Sequence, residues 1–494
     1  MIYRKKGCRL LAAAALTFFA FTATVQAAEI KLDIKESVWE LKPGLSTQVW
    51  SYNGTVPGTP IVVQEGEKVI VEGINHLPVA TNIHWHGLVV PNDQDGPGRI
   101  IGSGESFHYE FTAREAGTYW YHSHMRPVLT QVDSGLYAPF IVKTAADDKY
   151  SGDHTLVLDD WYLDKNGNRL EGTANGAMER YGNVETVNGK TGSAIEPLIF
   201  RAGELHKLRF INASTAAYHT LHLNGHSFRV THTDGHPLTE PYRTNQITLA
   251  PGERIDAEVS ADGQDGQLYH LTSDRPALGI DIPVEYKGAA VKPVVSPFQT
   301  PAARGFSGIY EKTPDYVLTL GSVMNHSVQN HTAGASAAHN MDNMDNMDNM
   351  DNMPGMNHMT MHTQSPPLMD MPAHKSVAGG QMQWTINGKV FPDTKPLKVH
   401  TGQIVKIRFW NKDMEGMHPM DHPIHLHGTY FQVVSLNGER PERETWKDTI
   451  NVPAGQYVDI AFKMEEPGTW MLHCHILDHE DGGMMTIIEA EKAS

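Results

Sequence analysis

Cysteine is nearly absent from this chain: two in 494 residues, Cys8 and Cys474. Cys8 sits among Arg4, Lys5, Lys6 and Arg9, ahead of an apolar run from Leu10 to about Val25 and the small-residue site Val25-Gln26-Ala27. That order of basic, apolar and small residues is a cleaved export signal, expected over residues 1–28. The exported chain keeps one thiol and can form no internal disulfide. Long apolar runs are missing after the signal, so no membrane span is expected once it is cleaved. Paired arginines are missing from the leader, which favours the general export route over the folded-protein route. Basic charge is scarce as well. Without the leader, 36 basic face 57 acidic residues, a net charge of −21 that makes nucleic acid an improbable partner and draws cations. Helical periodicity is also scarce. With 44 Gly, 29 Pro and recurrent Val/Ile/Thr/Tyr alternation, the chain reads as all-β.

What is present is a pattern repeated three times. Gly66 to Asn75, Gly203 to Asn212 and Gly402 to Asn411 are each a glycine turn, an alternating strand and an asparagine nine residues on. Gly104, Gly252 and Gly455 precede His122, His270 and His473 by eighteen residues each. Three β-sandwich domains are therefore expected, at 29–147, 148–310 and 311–494.

The copies differ where chemistry is carried. Copy three has His422-x-x-His425-x-His427 and His473-Cys474-His475. Copy one has Thr81-x-x-His84-x-His86 and His122-Ser123-His124. Copy two has His219-x-x-His222-x-Asn224 and His270-Leu271-Thr272, which read as ordinary polar residues. In a strand, alternate side chains share a face. Each His-x-His pair therefore aims two imidazoles one way, and the eight together suit three metal ions where copies one and three meet. Cys474 points the opposite way from its neighbours, toward His422, His479 and Met484. A thiolate, two imidazoles and a weak thioether make a blue-copper site. The backbone of His473-Cys474-His475 joins the two sites by a few covalent bonds.

His84-Trp-His86-Gly, Tyr-His122-Ser-His124, His422-Pro-Ile-His425-Leu-His427-Gly and His473-Cys474-His475-x3-His479-x4-Met484 resemble the copper motifs of three-domain multicopper oxidases. The resemblance implies three cupredoxin-like Greek-key sandwiches and four coppers per chain. His422, Cys474, His479 and Met484 would hold the type 1 copper, and His84 and His425 the type 2 copper. His86, His122, His124, His427, His473 and His475 would hold the type 3 pair. Family spacing favours Met484 over its neighbour Met485 as the axial ligand. The resemblance further implies four one-electron oxidations coupled to reduction of dioxygen to two waters. Asp95, nine residues after His86, and Glu480, just after His479, match acidic positions near the family's cluster and are the expected proton donors.

Copy three also carries an insertion, expected to be mobile, over residues 324–375. It holds half of the 22 methionines, with the run Met341-Asp-Asn-Met344-Asp-Asn-Met347 at its centre. A period of three with polar fillers is not a core stripe. Thioethers select Cu(I), and the interspersed His and Asp suit Cu(II), so the segment is a candidate for additional labile copper. It resembles the Met-rich region of periplasmic copper-efflux and copper-resistance oxidases, which points to Cu(I) as reductant and to copper tolerance as the role. Met420 matches a substrate-copper methionine of those enzymes. His418 stands where they carry a carboxylate, and Asp421 is the nearest substitute. Phenols or Fe(II) are alternative reductants, a copper-sequestering protein is the non-enzymatic alternative, and a monomer is the expected state.

Overall fold

The computed structural model describes residues 27–170, 172, 179–293, 300–324, 382–413 and 420–493. The leader, most of the methionine-rich insertion and His418 lie outside the described residues. Strands dominate, and they form three pairs of sheets. A four-stranded sheet and a second of four are built from residues 28–143. Sheets of six and five strands are built from 152–286, and another six and five from 316–491. In each unit the two inner faces close over one apolar core. No helix among the described residues is long and apolar enough to cross a membrane.

The threefold sequence repeat has a concrete structural cause. The strands Lys68–Asn75, Leu205–Asn212 and Ile404–Asn411 each end on the repeated asparagine, which is fully buried. Asn75 Nδ2 donates to the carbonyls of Val79 and Ile101, Asn212 Nδ2 to those of Ala217 and Leu249, and Asn411 Nδ2 to those of Met420 and Val452. Each Oδ1 accepts from the backbone N–H two residues later. One side chain thus satisfies three backbone groups at a buried strand end, where orphaned groups are costly. The repeated glycines serve the same corner: the N–H groups of Asn75, Asn212 and Asn411 donate to the carbonyls of Glu105, Glu253 and Gln456, each one residue after Gly104, Gly252 and Gly455, which adopt φ of 78°, 85° and 74°, open to glycine without penalty.

The repeated corner sets where the chain goes next. In unit three the Met420 carbonyl held by Asn411 lies two residues before His422, so the tie fixes the start of the strand His422–Leu426. In unit one the same tie precedes His84–His86.

Candidate metal centre

Four short histidine-bearing segments meet between units one and three. His84–His86 pairs with Gly117–His122, placing His84 opposite His122. His422–Leu426 pairs with Gly468–Cys474, placing His425 opposite His473 and Ile424 opposite Cys474. Period-two alternation therefore sends His473 and His475 to one side and Cys474 to the other, as the sequence predicts. All eight imidazoles of the His-x-His pairs are buried, and rings from opposite units stack: His84 on His427 at 3.8 Å and His86 on His425 at 3.7 Å between centroids.

The hydrogen bonds fix which nitrogen of each ring faces inward. His84 Nδ1 is 2.6 Å from Asp95 Oδ1, and His427 Nδ1 is 2.9 Å from Asp95 Oδ2. His425 Nδ1 donates to the Asp448 carbonyl, His122 Nδ1 to that of Ser123, and His473 Nδ1 to that of Cys474. In these five rings the proton is committed outward and Nε2 is left as a bare lone pair. His86 is reversed: its Nε2 bonds Asp448 Oδ1 at 3.0 Å, leaving Nδ1 free.

The free nitrogens face one another. His84 Nε2 and His425 Nε2 are 3.4 Å apart, His427 Nε2 and His473 Nε2 3.1 Å, and His122 Nε2 and His86 Nδ1 3.5 Å. Two lone pairs at such distances repel unless a cation lies between them. Both ring nitrogens of His475 and Nδ1 of His124 are buried without a hydrogen-bond partner. This donor set, imidazoles converging in groups such as His84–His425–His427 and His124–His427–His473, fits borderline transition-metal ions. Burial, with mutual repulsion among the rings, lowers the pKa of His84, His124, His427 and His475 well below the ordinary value, so they are held neutral.

On the other face, Cys474 Sγ lies 3.5 Å from His479 Nδ1 and 3.8 Å from His422 Nδ1, and the two nitrogens are 3.1 Å apart. Met484 is tied in by its backbone, its carbonyl accepting from the Cys474 N–H and its own N–H donating to the His479 carbonyl. Met484 packs in the same apolar cluster as Cys474, whereas Met485 turns into a separate cluster with Phe391, Met471 and Ile487. Burial pushes the Cys474 thiol well above its ordinary pKa, and a bound cation would reverse that.

Of the two expected proton donors, Asp95 bridges His84 and His427 from the two units. Glu480 is fully buried, with Oε2 3.1 Å from His473 Nδ1 and Oε1 3.4 Å from His124 Nε2. Both therefore sit against the histidine cluster. The substrate-side residues divide. Met420 is buried in the Cys474 cluster. Asp421 spends its oxygens on Asn451 Nδ2 and the Ala454 N–H, so it does not replace the missing carboxylate. The carboxylate that meets His422 is Asp413, with Oδ2 2.9 Å from Nε2 and Oδ1 accepting from the Ser322 N–H and hydroxyl. His422 and Ser322 hold Asp413 below the ordinary carboxylate range even though burial opposes them.

Spacing gave no sign of Asp413, nor of Asp448 and Arg254. Arg254, from unit two, clamps Asp448 with Nη1 to Oδ1 at 2.7 Å and Nη2 to Oδ2 at 2.5 Å, both side chains fully buried. Among the described residues unit two has no ligand cluster of its own, and the Nε2 of its His219 is taken by the Ser214 hydroxyl. It nonetheless closes the centre: a Cβ on Gly252 would lie 2.8 Å from the His475 ring.

Comparison with known proteins agrees with this geometry. Three models, each described as multicopper oxidase, match residues 33–147, 152–281 and 361–494. Multicopper oxidase MmcO of Mycobacterium tuberculosis is 28% identical over 89% of this chain and 82% of its own length. Copper resistance protein A of Escherichia coli is 26% identical over 95% and 94% respectively. Among solved structures, a Campylobacter jejuni multicopper oxidase described as a metallo-oxidase superposes with a TM-score of 0.71 at 26% identity, covering 95% of this chain and 96% of that one.

Proposed function

The chain belongs to the multicopper oxidase family, oxidoreductases that use dioxygen, and on that premise we propose that it is an exported cuprous oxidase serving copper tolerance. Four coppers are assigned, with the residues named from sequence as their ligands. His422, Cys474, His479 and Met484 hold one, His84 and His425 a second, and the remaining six histidines a pair. When bound, these ions supply one-electron transfer and dioxygen reduction. The protein's part is to hold the thiolate against His422 and His479, to keep the cluster imidazoles neutral, and to bring protons through Asp95 and Glu480. The observation that carries the reading is that Cys474 Sγ approaches both Nδ1 atoms while its chain neighbours His473 and His475 join the eight-imidazole cluster.

Cu(I) as reductant is supported by the methionine-rich insertion and by Asp413 on the outer nitrogen of His422, a hard anionic contact able to steady a departing Cu(II). Oxygen uptake with Cu(I), Fe(II) and a phenol, compared side by side, tests it. Asp413→Asn is expected to lower turnover of Cu(I) by about tenfold, roughly 1.4 kcal/mol, and that of the phenol much less. Equal losses on both, or no preference for Cu(I) in the unaltered enzyme, would count against the cuprous reading. Deleting residues 324–375 should likewise impair Cu(I) turnover first.

A laccase-like activity toward phenols has its own support. His479 Nε2 is buried with no hydrogen-bond partner and lies 3.8 Å from Glu179 Oε1, so a second outlet from the Cys474 site ends at a carboxylate. Burial, with Asp478 nearby, raises Glu179 to about 7. The axial thioether bears on either substrate. Met484→Leu removes a weak donor to the copper and is expected to raise the site's reduction potential in a redox titration. A lower potential would mean that Met484 is not the axial ligand.

A further inference from the structure

Outside the metal centre, the three units enclose a cavity of about 220 Å³ whose walls include Glu115, His236, Arg304, Phe306, Tyr430 and Trp446. Its polar inventory is unbalanced. Glu115 is fully engaged: Oε1 accepts from the Tyr430 hydroxyl at 2.7 Å, and Oε2 faces Arg304 Nη1 at 3.4 Å and His236 Nδ1 at 3.3 Å. Burial raises Glu115, but His236, Tyr430 and Arg304 outweigh it and bring it to about 2, so it is an anion with no capacity to spare. The unused groups are on the other side of the ledger. Arg304 Nη2 is buried and unpartnered, and so is His236 Nε2, on a side chain that is 98% buried and whose Nδ1 faces Glu115.

Unsatisfied buried polar groups are costly, and a native cavity lined by them calls for a complementary ligand. Arg304 Nη2 brings N–H donors only, whereas the Nδ1 side of His236 is committed to Glu115. The missing partner is therefore an acceptor, and a guanidinium fork favours a carboxylate. The remaining surface is aromatic. Phe306 and Trp446 lie edge to face at 5.4 Å, Tyr430 and Trp446 at 5.5 Å, and the Arg304 guanidinium rests 5.5 Å from the Trp446 ring. Arg114 and Lys463 stand at the rim, where Glu465 and Glu466 pair with them. The volume is just under the range of about 300–1,000 Å³ usual for drug-sized ligands, which suits a single ring.

We propose that this cavity binds a small aromatic carboxylate, its carboxylate on Arg304 and its ring between Trp446, Phe306 and Tyr430. Nothing in the copper chemistry requires the site. Its wall nonetheless includes Gly87, the residue after His86, so an occupant rests one residue from the histidine cluster.

Calorimetry of the copper-loaded enzyme with benzoate, acetate and benzyl alcohol tests the proposal. Benzoate is expected to bind once per chain, acetate at least tenfold more weakly, and benzyl alcohol not measurably. Arg304→Gln should weaken benzoate at least tenfold, and its side chain is one-third exposed, so folding should tolerate the change. Failure of benzoate to bind, equal binding of the alcohol, or undiminished binding by Arg304→Gln would each overturn the site. A crystal soaked with 4-bromobenzoate gives a second readout independent of any variant. A bromine signal against Trp446 supports the proposal; a signal elsewhere, or water alone in the cavity, refutes it.

Discussion

Cys474→Ser is expected to abolish the visible absorption of the loaded enzyme and to cut oxygen uptake with every reductant by at least about 10³-fold, roughly 4 kcal/mol of barrier. The reason lies in the position of one sulfur. On the proposed assignment Cys474 supplies the soft anion at the mononuclear site, and its backbone is the short covalent route to His473 and His475 in the histidine cluster. A serine hydroxyl has neither the softness nor the polarisable charge to replace it. Its fold should survive. The hydroxyl is smaller than the thiol and leaves the backbone bonds of residue 474 intact, so the metal-free protein should lose only about 1–3 kcal/mol for a buried hydroxyl. Oxygen uptake, visible spectrum and denaturation midpoint measured together give the answer. A variant that stays blue and active would show that the sulfur is not a ligand. One that loses activity only because it unfolds would show in the midpoint.

Much of this centre was legible in the sequence because strands alternate with period two. Once His84-x-His86, His122-x-His124, His425-x-His427 and His473-Cys474-His475 are put on strands, their facing directions follow; in the described residues His473 lies against His427 while Cys474 lies against His422 and His479. The threefold Gly-to-Asn spacing was legible for a similar reason, since the same backbone corner recurs and needs the same amide side chain each time. What escaped was every contact set by tertiary approach rather than by spacing. Asp413 lies nine residues before His422 and reaches it from the end of the adjoining strand Ile404–Asn411, a contact no period announces. Asp421, the adjacent residue, looked the better candidate but is captured by Asn451 and Ala454. Asp448 and Arg254 are 194 residues apart, on units that the repeat pattern treats as separate. The copy with no metal-holding cluster among its described residues gave no hint that it supplies the arginine bracing Asp448.

That brace carries the second large prediction. Arg254→Met is expected to destabilise the metal-free protein by about 3–5 kcal/mol, because it leaves the buried Asp448 carboxylate without its counter-ion. Arg254 and Asp448 are both fully buried, and Arg254 also donates to the carbonyls of Thr118, Gly252 and Asp234. The Arg254 charge, with His86, holds Asp448 well below the ordinary carboxylate range against burial. Without it the carboxyl takes up a proton, and a neutral acid no longer fixes His86 with Nε2–H outward and Nδ1 free. The variant should thus fail twice, in stability and in loading of the ion beside His86. Adding Asp448→Asn separates the two effects. The double variant removes the unpaired charge and should recover a substantial part of the stability, yet copper analysis should still find the cluster incompletely filled, because an amide is a poorer acceptor for His86 Nε2–H. An Arg254→Met protein within about 1 kcal/mol of the unaltered chain would mean that the clamp adds little. Full copper loading in the double variant would mean that His86 keeps its orientation without the carboxylate.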